Sequence, residues 1–366
     1  MKAPFKWHFA FFTGLLGSFV LNLSVNAGGP IDIGDGRWIN IGAGLKAAYR
    51  ATEDGSPNGT EYSKDFDLDD TRLYLSAKVT DLILSEVNTF KAADDDVQLL
   101  DAVAKFNFSN QFNIWVGRHI PPGDRINYSG GFFQNSFDFP IIASRYTFQD
   151  RIGRDDGISA HGYVLDDKLL YHFGIFEGTD ALPNGDDALL YAFRLAYNIW
   201  EPDSGGGTYY TSGTYYGDKD ILTIGFALNI QEDAFGTNAN PEDNVTFNID
   251  LFMEKALSND GVVTVEAAYY DYDRPGSGFT PGAPIDGDGE AYIIYGGYLF
   301  SQEIGWGKLQ PHLRYQDFDD QLSQFDIGVN YVIKGHSARI SLVYSNIDPE
   351  VGNSTSQILI GTQIQF

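Results

Sequence analysis

The residues best suited to chemistry gather in one segment. Arg118, Arg125, Arg145, Arg151 and Arg154 fall in or beside residues 119–156, among Asp124, Asp138, Asp150, Asp155 and Asp156. A guanidinium keeps its charge and offers a planar fork of donors, so such a cluster suits recognition of planar anions at a narrow passage. The nearby aspartates support a second expectation: the arginines pair with them and pin the segment to a wall. The same stretch holds Pro121-Pro122-Gly123, Phe132, Phe133, Phe137, Phe139 and Pro140. So apolar a loop would be poorly soluble if exposed, and it is expected to fold inward. Arg118, Arg125, Arg145, Arg151, Arg154, Asp124 and Asp138 are therefore the candidate constriction residues of a pore.

No catalytic constellation competes with this one. His119, His161, His172, His312 and His336 lie in no nucleophile elbow or metal-binding motif and read as single polar residues on strands or turns. Asp286-Gly287-Asp288-Gly289-Glu290 resembles the start of a calcium loop, but the rest of that motif is missing. Cysteine is absent, which excludes disulfides, thiolate metal sites and covalently attached haem. Neither enzyme activity, metal nor cofactor is expected.

The elements that must position the arginines are strands. Leu222, Ile224, Phe226, Leu228 and Ile230 alternate with Thr223, Gly225 and Asn229; Phe325, Ile327, Val329, Tyr331 and Ile333 alternate with Gln324, Asp326, Asn330 and Lys334. Period-two alternation marks strands with one apolar and one polar face. Segments of about ten residues or more suit tilted membrane strands, apolar toward lipid and polar toward a wet lumen. Sixteen such segments run from 37–50 to 356–366; the third, 81–92, alternates ambiguously. Lys46, Arg72, Lys78, Lys105, Arg194, Arg314, Lys334 and Arg339 are the candidate inward basic residues, interspersed with Asp70, Asp101, Asp250, Glu254, Glu266 and Asp326.

The connections alternate in length. Thr80-Asp81, Ser109-Asn110, Asp166-Asp167, Ser258-Asn259-Asp260 and Gly335-His336 are tight turns, whereas 51–67, 119–156, 178–187, 232–243, 273–289 and 347–355 are longer. Short periplasmic turns and long outer loops are the rule for outer-membrane barrels. The connection 201–218 breaks it, being long where a periplasmic turn is due. Either a strand boundary lies elsewhere or this turn is elaborated.

The ends and composition agree with export to an outer membrane. Lys2 and Lys6, the apolar run Phe9 to Val20, and Val25-Asn26-Ala27 read as a signal peptide over 1–27, leaving a barrel over 28–366. The formal charge of −26 argues against nucleic-acid partners. Much of the acid falls in the outer loops, as a solvated rim or a place for cation bridges to lipopolysaccharide. Among 366 residues are 22 Tyr and 27 Phe, so the charge must sit on folded structure rather than on a disordered chain. The terminal Gln363-Ile364-Gln365-Phe366 ends on the apolar phase and resembles the C-terminal signature of bacterial outer-membrane barrels.

Lys105 to Arg118 (KFNFSNQFNIWVGR) with Pro121-Pro122, Tyr171 to Gly178 (YHFGIFEG), and Tyr209 to Gly217 (YYTSGTYYG) resemble segments of the phosphate-selective porin O/P family, whose relatives include porins for short amides and urea. The resemblance, clearest over about 68–230, implies a homotrimer of sixteen-stranded barrels with inward-folding loops. It implies passive diffusion of small hydrophilic solutes or ions, anions such as phosphate among them. With only 24 Lys plus Arg in the chain, the dense lysine ladder of phosphate-selective members cannot be assembled. The alternative expectation is a barrel that sheathes an electron-transfer cytochrome or anchors an adhesin or receptor.

Overall fold

The computed structural model describes residues 29–92, 96–143, 153–203, 207–274, 288–319 and 321–366. The proposed signal peptide, Arg145, Asp150 and Arg151 lie outside them. The chain begins with a short arm β1 (Ile31–Gly34), then β2 (Arg37–Thr52), β3 (Asp65–Lys78), β4 (Ile83–Lys91), β5 (Gln98–Asn107) and β6 (Asn113–His119). A single helical turn α1 (Arg125–Ser129) precedes β7 (Asp155–Val164), β8 (Leu169–Phe176), β9 (Leu190–Asn198), β10 (Ile221–Thr237), β11 (Asn240–Ala256) and β12 (Val262–Asp273). The last are β13 (Gly289–Leu299), a second arm β14 (Glu303–Ile304), β15 (Gly307–Phe318), β16 (Leu322–Lys334), β17 (Ala338–Pro349) and β18 (Thr355–Gln365).

The arms β1 and β14 fold back on β2 and β15. The other sixteen strands pair antiparallel with their neighbours in sequence, and β18 pairs with β2 to close the barrel. Closure leaves no sheet edge, which a spanning sheet requires. Every expected strand is present, the ambiguous third one as β4. A register shift between Asn88 and Thr89 in its pairing with β5 breaks the alternation there.

Alternation gives the wall two faces. Ile224 (46% exposed) and Ile360 (51%) belong to an apolar outer face, while Thr223, Asn229, Asn330 and Ser341 are buried toward the lumen. Exposed apolar residues on strand after strand exceed any patch a water-soluble monomer tolerates, and match a lipid-facing band. Phe108, Phe112, Trp200, Phe300, Trp306 and Phe366 stand exposed at the short-turn end. They form an aromatic girdle of the kind found where barrels meet the lipid interface. At the same end the short turn between Val164 and Leu169 puts Leu165, Asp166 and Asp167 at positive φ (57°, 55° and 65°), a region that aspartate enters more readily than most residues.

Two connections depart from expectation. Residues 232–243 are not a loose outer loop: β10 and β11 continue as a paired ribbon to Thr237 and Asn240, past an irregularity between Gln231 and Phe235. The oversized 201–218 is a true elaboration, since β9 ends at Asn198 and β10 begins at Ile221. Its residues Tyr209, Thr211, Ser212 and Thr214 are buried.

Candidate functional site

The long loop enters the lumen directly after β6. Pro121-Pro122 keep the chain extended, because proline fixes φ and restricts the residue before it. Asp124 then N-caps α1. Its carboxylate also accepts from Asn127 Nδ2 and, at 2.7 Å, from the Tyr270 hydroxyl of β12. Burial pushes the Asp124 carboxyl up to about 6 against these bonds.

The loop touches the wall on several sides. Ile126 and Ile142 pack with Tyr270, Tyr272, Ile293 and Phe318. Ile120 and Tyr128 join Val103, Trp115, Tyr163 and Tyr209. Phe137 packs with Ala48, Val343 and Leu359. Two wall glycines make room for the aromatics. A Cβ on Gly44 would lie 2.8 Å from Phe132, and one on Gly361 would lie 2.5 Å from Phe137.

Several of the expected inward basic residues grip this loop's main chain. Arg339 donates to the carbonyls of Gln134 (2.7 Å), Ser136 (3.2 Å) and Asn135 (3.3 Å). Arg314 binds the Asp138 carbonyl at 2.8 Å while paired with Asp326 at 2.5 Å. Lys46 donates to the Phe137 carbonyl and, at 3.4 Å, to that of Gly131. Arg194 forks onto Asp250 (2.6 and 2.9 Å) and reaches the Gly123 carbonyl at 3.1 Å. The rest lie elsewhere. Arg72 pairs with Asp70 at 2.7 Å, and Lys105 with Glu86. Lys78 meets Asp81 at the β3–β4 turn, and Lys334 is exposed at the end of β16.

The arginines of the segment all meet carboxylates where described. Arg118 forks onto Asp156 (2.9 and 2.9 Å), and Arg154 binds Asp101 at 3.0 Å. Arg125, fully buried, forks onto Asp203 (2.7 and 3.1 Å), binds Glu266 at 2.7 Å and stacks on Phe252. Asp138 accepts from Arg50 at 2.7 Å. Thus Arg125 and Arg154 lie with Asp124 and Asp138 on or beside one inward loop, with partners on the wall distant in sequence, whereas the expectation fails for Arg118: alternation in β6 puts it on the outward face with exposed Val116, paired with Asp156 on the outward phase of β7.

Three groups were hidden from sequence reading. Asp203 and Arg50 become loop partners only through the fold, although the unusual length of 201–218 singled out the segment carrying Asp203. That segment meets the long loop: Gly213 N donates to the Phe133 carbonyl (2.7 Å), and the Tyr209 hydroxyl to that of Ile120 (2.9 Å). His336, in the β16–β17 turn, donates through Nε2 to the Thr214 carbonyl at 2.9 Å and lies 2.8 Å from Ser212 Oγ. Burial pushes its imidazole down to about 3. Third, His161 and His172 face each other across β7 and β8, with the Tyr128 hydroxyl 2.5 Å from His172 Nδ1. Strand register alone brings those two histidines together.

With the barrel and its inward loop established, comparison with solved structures decides the fold. OmpF of Salmonella typhi, solved in complex with daunomycin, matches with a TM-score of 0.61 and 13% identity, over 92% of this chain and all of that one. The chain has the porin fold. The outer-membrane channel DcaP of Acinetobacter baumannii (0.59, 14%; 93% of this chain, 100% of that one) and an anion-selective porin from Comamonas acidovorans (0.58, 11%; 90% and 100%) match similarly. No family model matches the chain, and no curated protein does.

Proposed function

We propose that this porin-fold chain is a diffusion channel of a Gram-negative outer membrane, exported by its signal peptide and passing small hydrophilic solutes and ions. One observation carries the reading: Lys46, Arg314 and Arg339, from three different wall strands, hold the loop backbone around 131–138 inside a polar lumen. A loop fixed across a lumen narrows it without closing it by collapse, and so sets a size limit. Arg125, Arg154, Asp124 and Asp138, with Arg145 and Arg151 from the same segment, are proposed as the constriction. Arg72, Lys105 and their carboxylates are proposed as the facing wall. The tight turns and residues 201–218 then belong to the periplasmic end.

Because Arg118, Arg125 and Arg154 each face a carboxylate, they do not form the bare basic cluster that phosphate selection asks for. The acidic surplus of the chain then favours cations at the mouth. The purified protein should give stepwise conductance in planar bilayers, with a reversal potential in a potassium chloride gradient on the cation side. A folded protein that never conducts overturns the channel reading; an anion-side potential overturns the selectivity. A homotrimer, as the family resemblance implies, belongs to the same proposal, and light scattering in detergent checks it.

One observation favours a second reading, a barrel that anchors its acidic outer loops as an adhesin or receptor. Residues 207–216 and the long loop meet inside the lumen, and together they could occlude it. Absent conductance with intact folding is the outcome that selects this reading. Two segments inside the lumen leave little space for a cytochrome, so the sheath reading is set aside.

A further inference from the structure

Three histidines meet residues 208–216, the part of the β9–β10 connection that lies in the lumen. The Tyr209 ring lies 4.0 Å from that of His172, centroid to centroid, and meets His161 edge-on at 4.9 Å. His336 holds the other half, through Ser212 Oγ (2.8 Å), the Thr214 carbonyl (2.9 Å) and the Tyr216 hydroxyl (3.4 Å). We propose that this segment is a strap that narrows the lumen near neutral pH and swings out when its histidines take up protons, so that acid widens the channel. The inference rests on the channel reading above and adds regulation to it.

The surroundings of each imidazole oppose a positive charge. His161 and His172 are buried in the wall, and His336 is enclosed by Phe133 of the long loop, Tyr216 of the strap and the Arg339 guanidinium of β17, two residues after Lys334 of β16. Lys105 stands over the Trp115 ring that meets His161, and Arg194 over the Tyr128 ring whose hydroxyl reaches His172. The carboxylates beside those two cations, Glu86 and Asp250, are already paired with them. An imidazolium is therefore costly while the strap is in place and is readily solvated once it leaves. The other charged contacts of the strap do not oppose this. Glu254 accepts from Tyr215 N (3.0 Å) and Gly217 N (2.9 Å), and protonation weakens it as an acceptor. Arg125 on the Ser212 carbonyl and Asp203 on the Tyr215 hydroxyl neutralise each other, and Lys219 stands over the Tyr215 ring. Gly207 and Gly217 flank the strap at φ 84° and 89°, a region open to glycine, and supply its hinges. A solvated histidine titrates near 6.5, so the strapped form is fully favoured above that value. Below it, each histidine that charges on release favours release by up to about tenfold per pH unit.

Planar-bilayer recording on the full chain, near neutral pH and then in acid at about pH 5, tests this. The time spent in a larger-conductance state should rise by about tenfold or more in acid. His336→Gln should shrink that rise. Thiol trapping reads the strap without any current. The chain has no cysteine, so Thr214→Cys, at a buried position of the strap, should react with a bulky maleimide only when the strap is out. Its labelling rate relative to that of Ser354→Cys, at an exposed position, should rise by about tenfold or more over the same change of pH. Labelled channels should then stay in the larger state at neutral pH. If His336→Gln fails to give a folded, heat-modifiable band, the Thr214→Cys labelling decides. A current independent of pH, or a labelling ratio that does not rise, overturns the inference and leaves the channel standing. Acid-dependent labelling of a barrel that never conducts refutes the channel and leaves the strap.

Discussion

Arg125 of the inward loop and Asp203 of the connection between β9 and β10 form a two-point ion pair in the lumen, Nε to Oδ2 at 2.7 Å and Nη2 to Oδ1 at 3.1 Å. The pair joins segments that enter from opposite ends of the barrel. Arg125 also binds Glu266, so it ties both segments to β12. Losing the guanidinium leaves two buried carboxylates uncompensated. Arg125→Met is therefore expected to cost about 3–5 kcal/mol. Asp203→Asn should cost less, because Glu266 still compensates the arginine. Urea unfolding followed by heat-modifiable gel mobility measures both.

Gly361 sits where any side chain would strike the ring of Phe137. Gly361→Leu should destabilise the barrel by about 1–3 kcal/mol through overpacking. It should also displace the loop and change single-channel conductance. Adding Phe137→Ala to the same chain empties that space, so the double variant should recover stability relative to Gly361→Leu. Non-recovery would show that the clash is not with this ring.

Arg154 offsets Asp101. Replacing the arginine with glutamine removes a positive charge and leaves the carboxylate. The reversal potential in a salt gradient should then move further toward cation selectivity. An unchanged potential would place the pair off the ion path.

His336 gives residues 207–216 a pH dependence. Its buried imidazole is held neutral, with a pKa near 3, while a released, solvated imidazole would titrate near the ordinary value of about 6.5. The group's folded pKa is depressed, so the bound arrangement is fully favoured above about 6.5. It loses about 1.4 kcal/mol per pH unit as pH falls from there toward 3. Release of residues 207–216 should therefore become more frequent across that window, read as rising protease sensitivity of the segment. His336→Gln, which cannot titrate, should flatten the profile.

The architecture was legible in the sequence because its causes are local. Period-two alternation assigns each side chain to lipid or lumen, tight-turn residues mark one end of the barrel, and the apolar loop 119–156 has nowhere stable to go but inward. Phe366 on the apolar phase closes the same pattern. The ambiguous β4 could not be settled locally, since its broken alternation comes from a shift in pairing with β5. What tertiary structure alone decided is partnership. Nothing in the sequence links Arg125 to Asp203, Arg339 to the carbonyls near 135, or His161 to His172, because barrel closure and strand register set those distances across long separations. The five arginines announced a charged loop; only the fold showed that Arg125 and Arg154 meet carboxylates inside the barrel, while Arg118 pairs with Asp156 across neighbouring strands on its outward face.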